Sequence, residues 1–293
     1  MVFLLPGVYG DDPRLVQFRI SLAGYVNFVL IDYPDWHEML AQNLDFDAMI
    51  DACIGQITDA CQQSPLLLAG YSFGCCLAYE AARRLIRSSY RVHFLGLIDP
   101  PPPSFAPQWG LTSPRNKLTT SWWNKVILYI EKMRSGRSAR VVFAEIREKL
   151  ANRFLEWSVC RWPAPVTRVF FSSIVPLMAP ELALSFKMRL SRALRIKCLS
   201  QWSPAALQVP TSLFRSDDLQ TNSENSRGWA ELCRLLTVVP IGGDHQTILK
   251  HGQLDLLSDC FRKAINAIVN AGARTREDSF HRLRNQNFQQ MES

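Results

Sequence analysis

The segment Gly70-Tyr71-Ser72-Phe73-Gly74 places a serine between two glycines at the spacing of a nucleophile elbow. An apolar run at residues 66–69 leads into this segment, and a helical pattern at residues 77–85 follows it. In such a strand–turn–helix connection the serine hydroxyl projects above the sheet, and the helix N-terminus points at developing negative charge. The sequence therefore predicts that Ser72 is a nucleophile.

A serine hydroxyl needs a base to take its proton, and the chain has five histidines. His245 follows an apolar run at residues 237–241 and the turn Gly242-Gly243-Asp244, and it precedes a helical pattern. This placement puts its imidazole at the carboxyl edge of a sheet, with the serine earlier in the chain than the histidine, so we expect His245 to be the base. The other histidines lie in an apolar strand or in polar segments without a supporting motif: His37, His93, His251 and His281.

A carboxylate should orient the histidine, and three aspartates compete for this role. Asp99 directly follows the apolar run that comes one helix after the elbow, so its strand end should lie beside that of Ser72. Asp217 or Asp218 follows the next strand, where many proteins of this topology carry the acid. We favour Asp99 and keep the other two as alternatives. Asp244 is too near His245 in sequence to reach around it.

Two backbone N–H groups should stabilise the oxyanion. The first is that of Phe73, directly after the nucleophile. The second is that of Val8, in the glycine-containing loop at residues 5–10 after the first strand.

Apolar runs and helical periodicity alternate over the outer thirds of the chain. The runs are nearly continuous, as in strands buried on both faces, so the sequence predicts an α/β fold with a mostly parallel sheet covered by helices. Helices are expected at residues 46–61, 78–85 and 254–269. The predicted strands occupy residues 2–5, 28–31, 66–69, 92–98, 209–214 and 237–241.

The middle third interrupts this alternation after the four prolines at residues 100–103. We expect a helical lid at residues 104–204, inserted into a core of residues 1–103 and 205–270, with a polar tail at 271–293. Helices are predicted around residues 122–134, 139–157 and 181–197. Six of the eight tryptophans lie in this insertion, and they either shape a substrate cavity or build the insertion's own core. The substrate-binding residues are not predicted.

Charge and composition limit the partners. Residues 104–204 carry 17 Lys and Arg against five Glu and no Asp, a net charge of +12, whereas the rest of the chain sums to −5. No nucleic-acid motif accompanies these basic residues. The sequence contains no apolar run long enough for a membrane span, and its N-terminus does not have the pattern of a secretory signal. It also shows no spacing typical of metal ligands. Its eight cysteines contain no CxxC pair, so we expect reduced thiols in the cytoplasm.

Several segments together resemble the type I thioesterase domains of nonribosomal peptide and polyketide synthases. The resemblance covers about residues 2–103 and 205–269, with Tyr71 in place of the histidine that many relatives carry. The matching segments are Phe3-Leu-Leu-Pro-Gly7, Leu68-Ala-Gly-Tyr-Ser-Phe-Gly74, Leu77-Ala-Tyr-Glu-Ala-Ala82, Leu97-Ile-Asp99 and Gly243-Asp-His245.

This resemblance implies an α/β-hydrolase fold with a helical lid, and an acid after the sixth strand of that fold, which favours Asp99. It also implies a substrate delivered as a phosphopantetheine thioester by an acyl or peptidyl carrier protein, with no cofactor of the enzyme's own. Because the chain begins at the first strand, we expect an excised domain or a free-standing enzyme. The alternatives are a carboxylesterase or lipase acting on oxygen esters, and a non-catalytic binding protein with a hydrolase fold.

Overall fold

The computed structural model describes residues 1–61, 65–105, 151, 153–217, 226–250, 252–268 and 270. They form two compact units. The sheet unit takes in the described residues of Met1–Asp32, Cys53–Pro103 and Pro204–Ser293, and the helical unit takes in those of Tyr33–Ala52 and Ser104–Ser203. The helical unit thus includes a segment that the sequence analysis assigned to the core.

Six strands of the sheet unit form a single parallel sheet, which confirms the predicted fold class. In chain order the strands are β1 (Val2–Leu5), β2 (Phe28–Leu30), β3 (Leu66–Tyr71), β4 (Val92–Ile98), β5 (Leu207–Arg215) and β6 (Cys233–Pro240). Their order across the sheet is β2-β1-β3-β4-β5-β6, and every neighbouring pair is parallel.

The central strands agree with the apolar runs that predicted them, whereas β6 begins four residues before its predicted start. The residues of β1 and most of β3 and β4 are buried. In contrast, β6 is an edge strand in which the exposed, charged Arg234 interrupts the apolar run near its start. A search for continuous apolar runs misses the first half of such a half-exposed strand.

Eight helices are found in the described residues, and none of them is long and apolar enough to cross a membrane. Sequence periodicity missed the short helices α1, α2 and α6. The helix expected around residues 122–134 lies outside the described residues, as do most of the one expected at 139–157 and the tail at 271–293. The helices are α1 (Pro13–Ser21), α2 (Trp36–Ala41), α3 (Phe46–Ala60), α4 (Phe73–Arg87), α5 (153–161), α6 (Ala164–Ile174), α7 (Pro180–Leu199) and α8 (252–268).

Phe261 of α8 lies at the centre of the core on one face of the sheet. Its ring makes edge-on contacts with Phe18 of α1 at a centroid distance of 5.3 Å and with Phe94 of β4 at 5.7 Å. Gly96 of β4 leaves the space for this ring, because a Cβ there would lie 3.0 Å from it. This packing anchors the last helix against the strands that carry the candidate site.

Aromatic side chains also pack within the helical unit. Trp162 lies between α5 and α6, with its ring centroid 6.0 Å from that of Trp157 and 5.0 Å from that of Phe170. Trp202 lies 6.1 Å from Phe46. These three tryptophans therefore have partners inside the unit, whereas Trp109, Trp122 and Trp123 lie outside the described residues.

The connection between β3 and α4 depends on two glycines whose hydrogens face backbone atoms. A Cβ on Gly70 would lie 2.4 Å from the carbonyl oxygen of Gly74. A Cβ on Gly74 would lie 2.1 Å from the carbonyl oxygen of Leu5 and 2.3 Å from that of Pro6. Helix α4 can therefore approach the end of β1 only where no side chain intervenes.

We expect Gly74→Ala to destabilise the protein by about 3 kcal/mol, because rigid backbone would have to move to admit the methyl group. Gly55→Ala in α3 is the matched control. A Cβ at Gly55 meets no atom within 4 Å, so this substitution should stabilise the helix by about 0.5–1 kcal/mol. Chemical denaturation followed by circular dichroism measures both values, and equal stabilities for the two variants would contradict the packing described.

Candidate active site

Ser72 stands at the turn between β3 and α4, with a backbone φ of 55° and ψ of −119°. A positive φ is unfavourable for a residue with a Cβ, but two backbone hydrogen bonds hold this turn. The Ser72 N–H donates to the Ile98 carbonyl at 2.9 Å, and the Ser72 carbonyl accepts from the Cys75 N–H at 3.0 Å. Although Ser72 is the N-cap residue of α4, its hydroxyl makes no capping hydrogen bond, so it can engage a partner outside the helix.

That partner is His245, whose Nε2 atom lies 3.0 Å from the Ser72 hydroxyl oxygen. His245 lies on the turn after β6, where the chain bends at Gly242 and Gly243, with φ values of 84° and 72°. The Asp244 carboxylate accepts hydrogen bonds from the backbone N–H groups of the two residues after His245. This turn fixes the backbone on both sides of the imidazole.

Asp99 directly follows β4 and adopts a φ of 46°. Its Oδ2 atom lies 2.5 Å from His245 Nδ1, and its side chain is only 1% exposed. The alternative Asp217 has a side chain that is 59% exposed, and Asp218 lies outside the described residues. The structure thus brings Ser72, His245 and Asp99 into one hydrogen-bonded chain.

Opposing effects set the pKa of Asp99. Burial raises it, but the hydrogen bond with His245, the charge of the Arg227 guanidinium at 2.9 Å and the Ser216 N–H at 3.1 Å together bring the pKa below its usual value. Asp99 is therefore ionised at neutral pH, and its Oδ2 atom accepts a hydrogen bond from the N–H at His245 Nδ1. The lone pair of Nε2 then faces the Ser72 hydroxyl. An imidazole with its proton on Nδ1 and this lone pair on Nε2 is the tautomer that a general base needs.

Tyr71, which precedes the serine, supports the imidazole. Its ring is stacked on that of His245, at a centroid distance of 5.5 Å and an interplanar angle of 8°, and its hydroxyl donates to the His245 carbonyl at 3.1 Å. Burial raises the pKa of Tyr71 to about 12, so this hydroxyl remains a donor at neutral pH. The residue in place of the usual histidine thus holds the turn that carries His245.

Sequence reasoning missed two side chains that contact the Asp99 carboxylate, Ser216 and Arg227. Ser216 directly follows β5, the neighbour of β4, so its position at an adjacent strand end was a signal that could have found it. Arg227 belongs to no motif, and nothing local in the sequence marks it.

The loop expected to supply an oxyanion donor is a tight turn. Gly10 has a φ of 88°, and its N–H donates to the Gly7 carbonyl at 2.9 Å. Val8 lies inside this turn, and Phe73 is the first residue of α4. Their backbone N–H groups remain predicted oxyanion donors.

No group of three or more His, Cys, Asp or Glu side chains that could hold a metal ion occurs among the described residues. All eight cysteines lie in the part of the chain that the structure describes, and none of them forms a disulfide.

Comparisons with known proteins point to one family. A family model described as a thioesterase domain matches residues 1–156, more than half of the chain. No curated protein sequence matches significantly.

Solved structures of thioesterases share the fold at low sequence identity. The NocB thioesterase domain, solved as a covalent complex with a fluorophosphonate nocardicin G analog, aligns with a TM-score of 0.57 and 16% identity over 90% of this chain and 94% of that chain. The SrfTE domain, which cyclises surfactin, gives a TM-score of 0.54 and 17% identity over 90% of both chains. RedJ from Streptomyces coelicolor gives a TM-score of 0.54 and 16% identity over 90% of this chain and 89% of that chain. The predicted α/β-hydrolase fold is confirmed.

Because the pKa of Asp99 is lowered in the folded protein, the free energy of unfolding should decrease as the pH falls into the acid range. Because the folded-state pKa lies below the unfolded value of about 3.9, the ionised carboxylate stabilises the fold above about pH 4, and this contribution is lost as the pH falls through the folded pKa. We expect the stability difference between wild type and Asp99→Asn to be largest near neutral pH and to shrink in acid. Denaturant titrations at several pH values measure it.

Asp217→Asn is the control for this experiment, since it removes a largely exposed carboxylate at the end of the neighbouring strand. A stability difference for Asp99→Asn that stays constant from pH 7 to pH 3, or that matches the control, would contradict the assignment.

Proposed function

This chain belongs to the thioesterase domain family, and from that premise we propose that it releases an acyl, polyketide or peptidyl chain from a phosphopantetheine thioester through an acyl-serine intermediate. Such a protein is a serine hydrolase that acts as an acyl thioesterase. The observation that carries the proposal is the continuous hydrogen-bonded chain from the Ser72 hydroxyl through His245 to the buried Asp99. In it, Ser72 is the nucleophile, His245 the general base and Asp99 the residue that orients the base.

The first half-reaction forms the acyl-enzyme. His245 Nε2 takes the Ser72 hydroxyl proton while the serine oxygen forms a bond to the thioester carbonyl carbon. Asp99 stabilises the imidazolium that results, without taking a proton itself. The carbon–sulfur bond then breaks, the imidazolium returns its proton to the departing thiol, and the acyl group remains on Ser72.

The oxyanion of the tetrahedral intermediate needs donors that are already in place. We assign the Phe73 N–H, at the first turn of α4, and the Val8 N–H, in the turn after β1. The close approach of Gly74 to the Leu5 and Pro6 carbonyls supports this assignment, because it brings the start of α4 beside the start of that turn. One such donor contributes about 2.7–4 kcal/mol of transition-state stabilisation.

The second half-reaction releases the chain. Water, or a hydroxyl or amine of the acyl chain itself, attacks the ester carbonyl while His245 accepts its proton, and Ser72 leaves with that proton. Water gives a free acid, and an internal nucleophile gives a ring. In this proposal the segment at residues 104–204 is a lid that excludes bulk water and shapes the acyl site.

The phosphopantetheine arm belongs to the substrate and not to the enzyme, and the proposed steps use no cofactor of this chain and no metal. The partner is an acyl or peptidyl carrier protein, and the net charge of +12 at residues 104–204 would attract an acidic carrier. Eight cysteines without a disulfide fit a reducing compartment, and we infer a cytoplasmic location.

Acylation of Ser72 is the direct test. Mixing the protein with acyl phosphopantetheine thioesters should add the acyl mass to the peptide that contains Ser72, as detected by mass spectrometry. Ser72→Ala should abolish this adduct and lower kcat on the order of 10⁶-fold, with its fold retained by circular dichroism.

Matched substrates separate the alternatives. A protein that turns over an oxygen ester faster than the thioester of the same acyl group is a carboxylesterase. A protein that neither forms an adduct nor reacts with a fluorophosphonate at Ser72 is a non-catalytic binder.

The proposed interaction with an acidic carrier should make kcat/KM depend on ionic strength. Raising ionic strength should lower kcat/KM for a thioester presented on an acidic carrier, since salt screens charges on the two surfaces. The same acyl group on a small neutral thiol should be turned over at an unchanged rate. Equal salt dependence of the two substrates would rule out electrostatic docking.

A further inference from the structure

The two oxygens of the Asp99 carboxylate have different partners. Oδ2 faces His245 Nδ1 at 2.5 Å. Oδ1 accepts three hydrogen bonds: from the Ser216 N–H at 3.1 Å, from the Ser216 hydroxyl at 2.8 Å and from Arg227 Nη1 at 2.9 Å. One oxygen therefore anchors the side chain, while the other is presented to the imidazole.

Arg227 reaches this carboxylate from a turn that is itself strained. The Ser226 carbonyl accepts from the Trp229 N–H at 3.0 Å, and the two residues between them, Arg227 and Gly228, have φ values of 51° and 84°. Positive φ at both central positions defines a type I′ turn, in which Asn-Gly is favoured and arginine is unusual. The backbone geometry therefore gives no reason for an arginine at this position.

The guanidinium is held in place on several sides. Its side chain is only 9% exposed. Besides Asp99, it donates to the Pro100 carbonyl at 3.4 Å and to the Ser216 carbonyl at 3.3 Å, so it links the ends of β4 and β5. The Trp229 indole N–H donates to the Pro101 carbonyl at 3.0 Å and fixes the turn to the same segment.

We propose that Arg227 is a positioning residue for the reaction, which holds Asp99 by one oxygen so that the other is aligned with His245. This inference rests on the proposed function. Arg227 touches no reacting atom and acts through Asp99. Ser216 has the same function through its N–H and its hydroxyl.

Arg227 also balances the charge of Asp99. With both groups present, the buried pair is neutral overall, so Asp99 attracts a proton on His245 less strongly than a lone carboxylate would. Burial keeps the nearest titratable groups of β3 and α4, Tyr71 and Cys75, uncharged. Other charged side chains around this edge in the described residues are Asp12 and Arg14, which pair at 2.6 Å, Arg215 and Asp217, which lie 3.9 Å apart, and Asp244, whose carboxylate accepts from the Gln246 and Thr247 N–H groups.

The test uses the full chain and Arg227→Asn, which creates the Asn-Gly sequence preferred by the type I′ turn while removing the guanidinium. The readout is the second-order rate of phosphonylation of Ser72 by a fluorophosphonate, measured from pH 5 to pH 9. This reaction requires the activated serine and no acyl substrate. Arg234→Asn on the exposed edge of β6 is the matched control.

We expect Arg227→Asn to lower the plateau rate about tenfold and to move the midpoint of the acid limb up by about one pH unit, because the uncompensated carboxylate retains the His245 proton more strongly. Arg227→Lys keeps the charge and should return the midpoint to that of wild type, with a plateau still lowered by its different geometry. Arg234→Asn should match wild type in both quantities.

Four outcomes would overturn the inference. One is a pH–rate profile of Arg227→Asn that is unchanged from wild type. Another is an equal loss of rate in both Arg227 variants with no movement of the midpoint, because this would indicate that Arg227 only stabilises the fold. If Arg227→Asn fails to fold, Arg227→Lys decides, since a plateau equal to that of wild type would show that guanidinium geometry is not needed. Failure of the wild type itself to label at Ser72 would overturn the proposed function together with the inference, whereas labelled wild type with unaffected variants would overturn the inference alone.

Discussion

The structure of the site depends on one buried negative charge, the carboxylate of Asp99. An isolated carboxylate removed from water is costly and would take up a proton instead. Here it remains ionised because hydrogen bonds from Ser216, Arg227 and His245 replace its water shell. The orientation of His245, its tautomer and its approach to the Ser72 hydroxyl all follow from that charge. A parallel sheet suits this arrangement, since the carboxyl ends of β3, β4, β5 and β6 lie along one edge.

Local patterns are sufficient to predict the parts of the site that neighbours in sequence determine. Ser72 is recognisable because the two flanking glycines and the strand and helix on either side lie within about twenty residues. His245 follows a strand and a glycine turn, and Asp99 follows from the order of strands. The same reasoning finds the buried central strands but misses the first half of β6, where the exposed Arg234 interrupts the apolar run.

Contacts between distant segments could not be predicted in this way. Arg227 meets Asp99 across 128 positions of the chain, through a turn whose sequence gives no indication of its role. The stack of Tyr71 on His245 depends on how the β6 turn folds back over the end of β3. Both contacts are tertiary, so periodicity and motif spacing do not predict them.

Backbone strain is concentrated at the same edge of the sheet. Of the five non-glycine residues with positive φ in the described ranges, three belong to this one cluster, Ser72, Asp99 and Arg227. Each such conformation costs on the order of 1–3 kcal/mol, and glycine or asparagine would relieve much of it at the loss of the functional group. Evolution toward greater thermal tolerance would thus conflict with chemistry here, and more robust descendants would have to gain their stability away from this edge of the sheet.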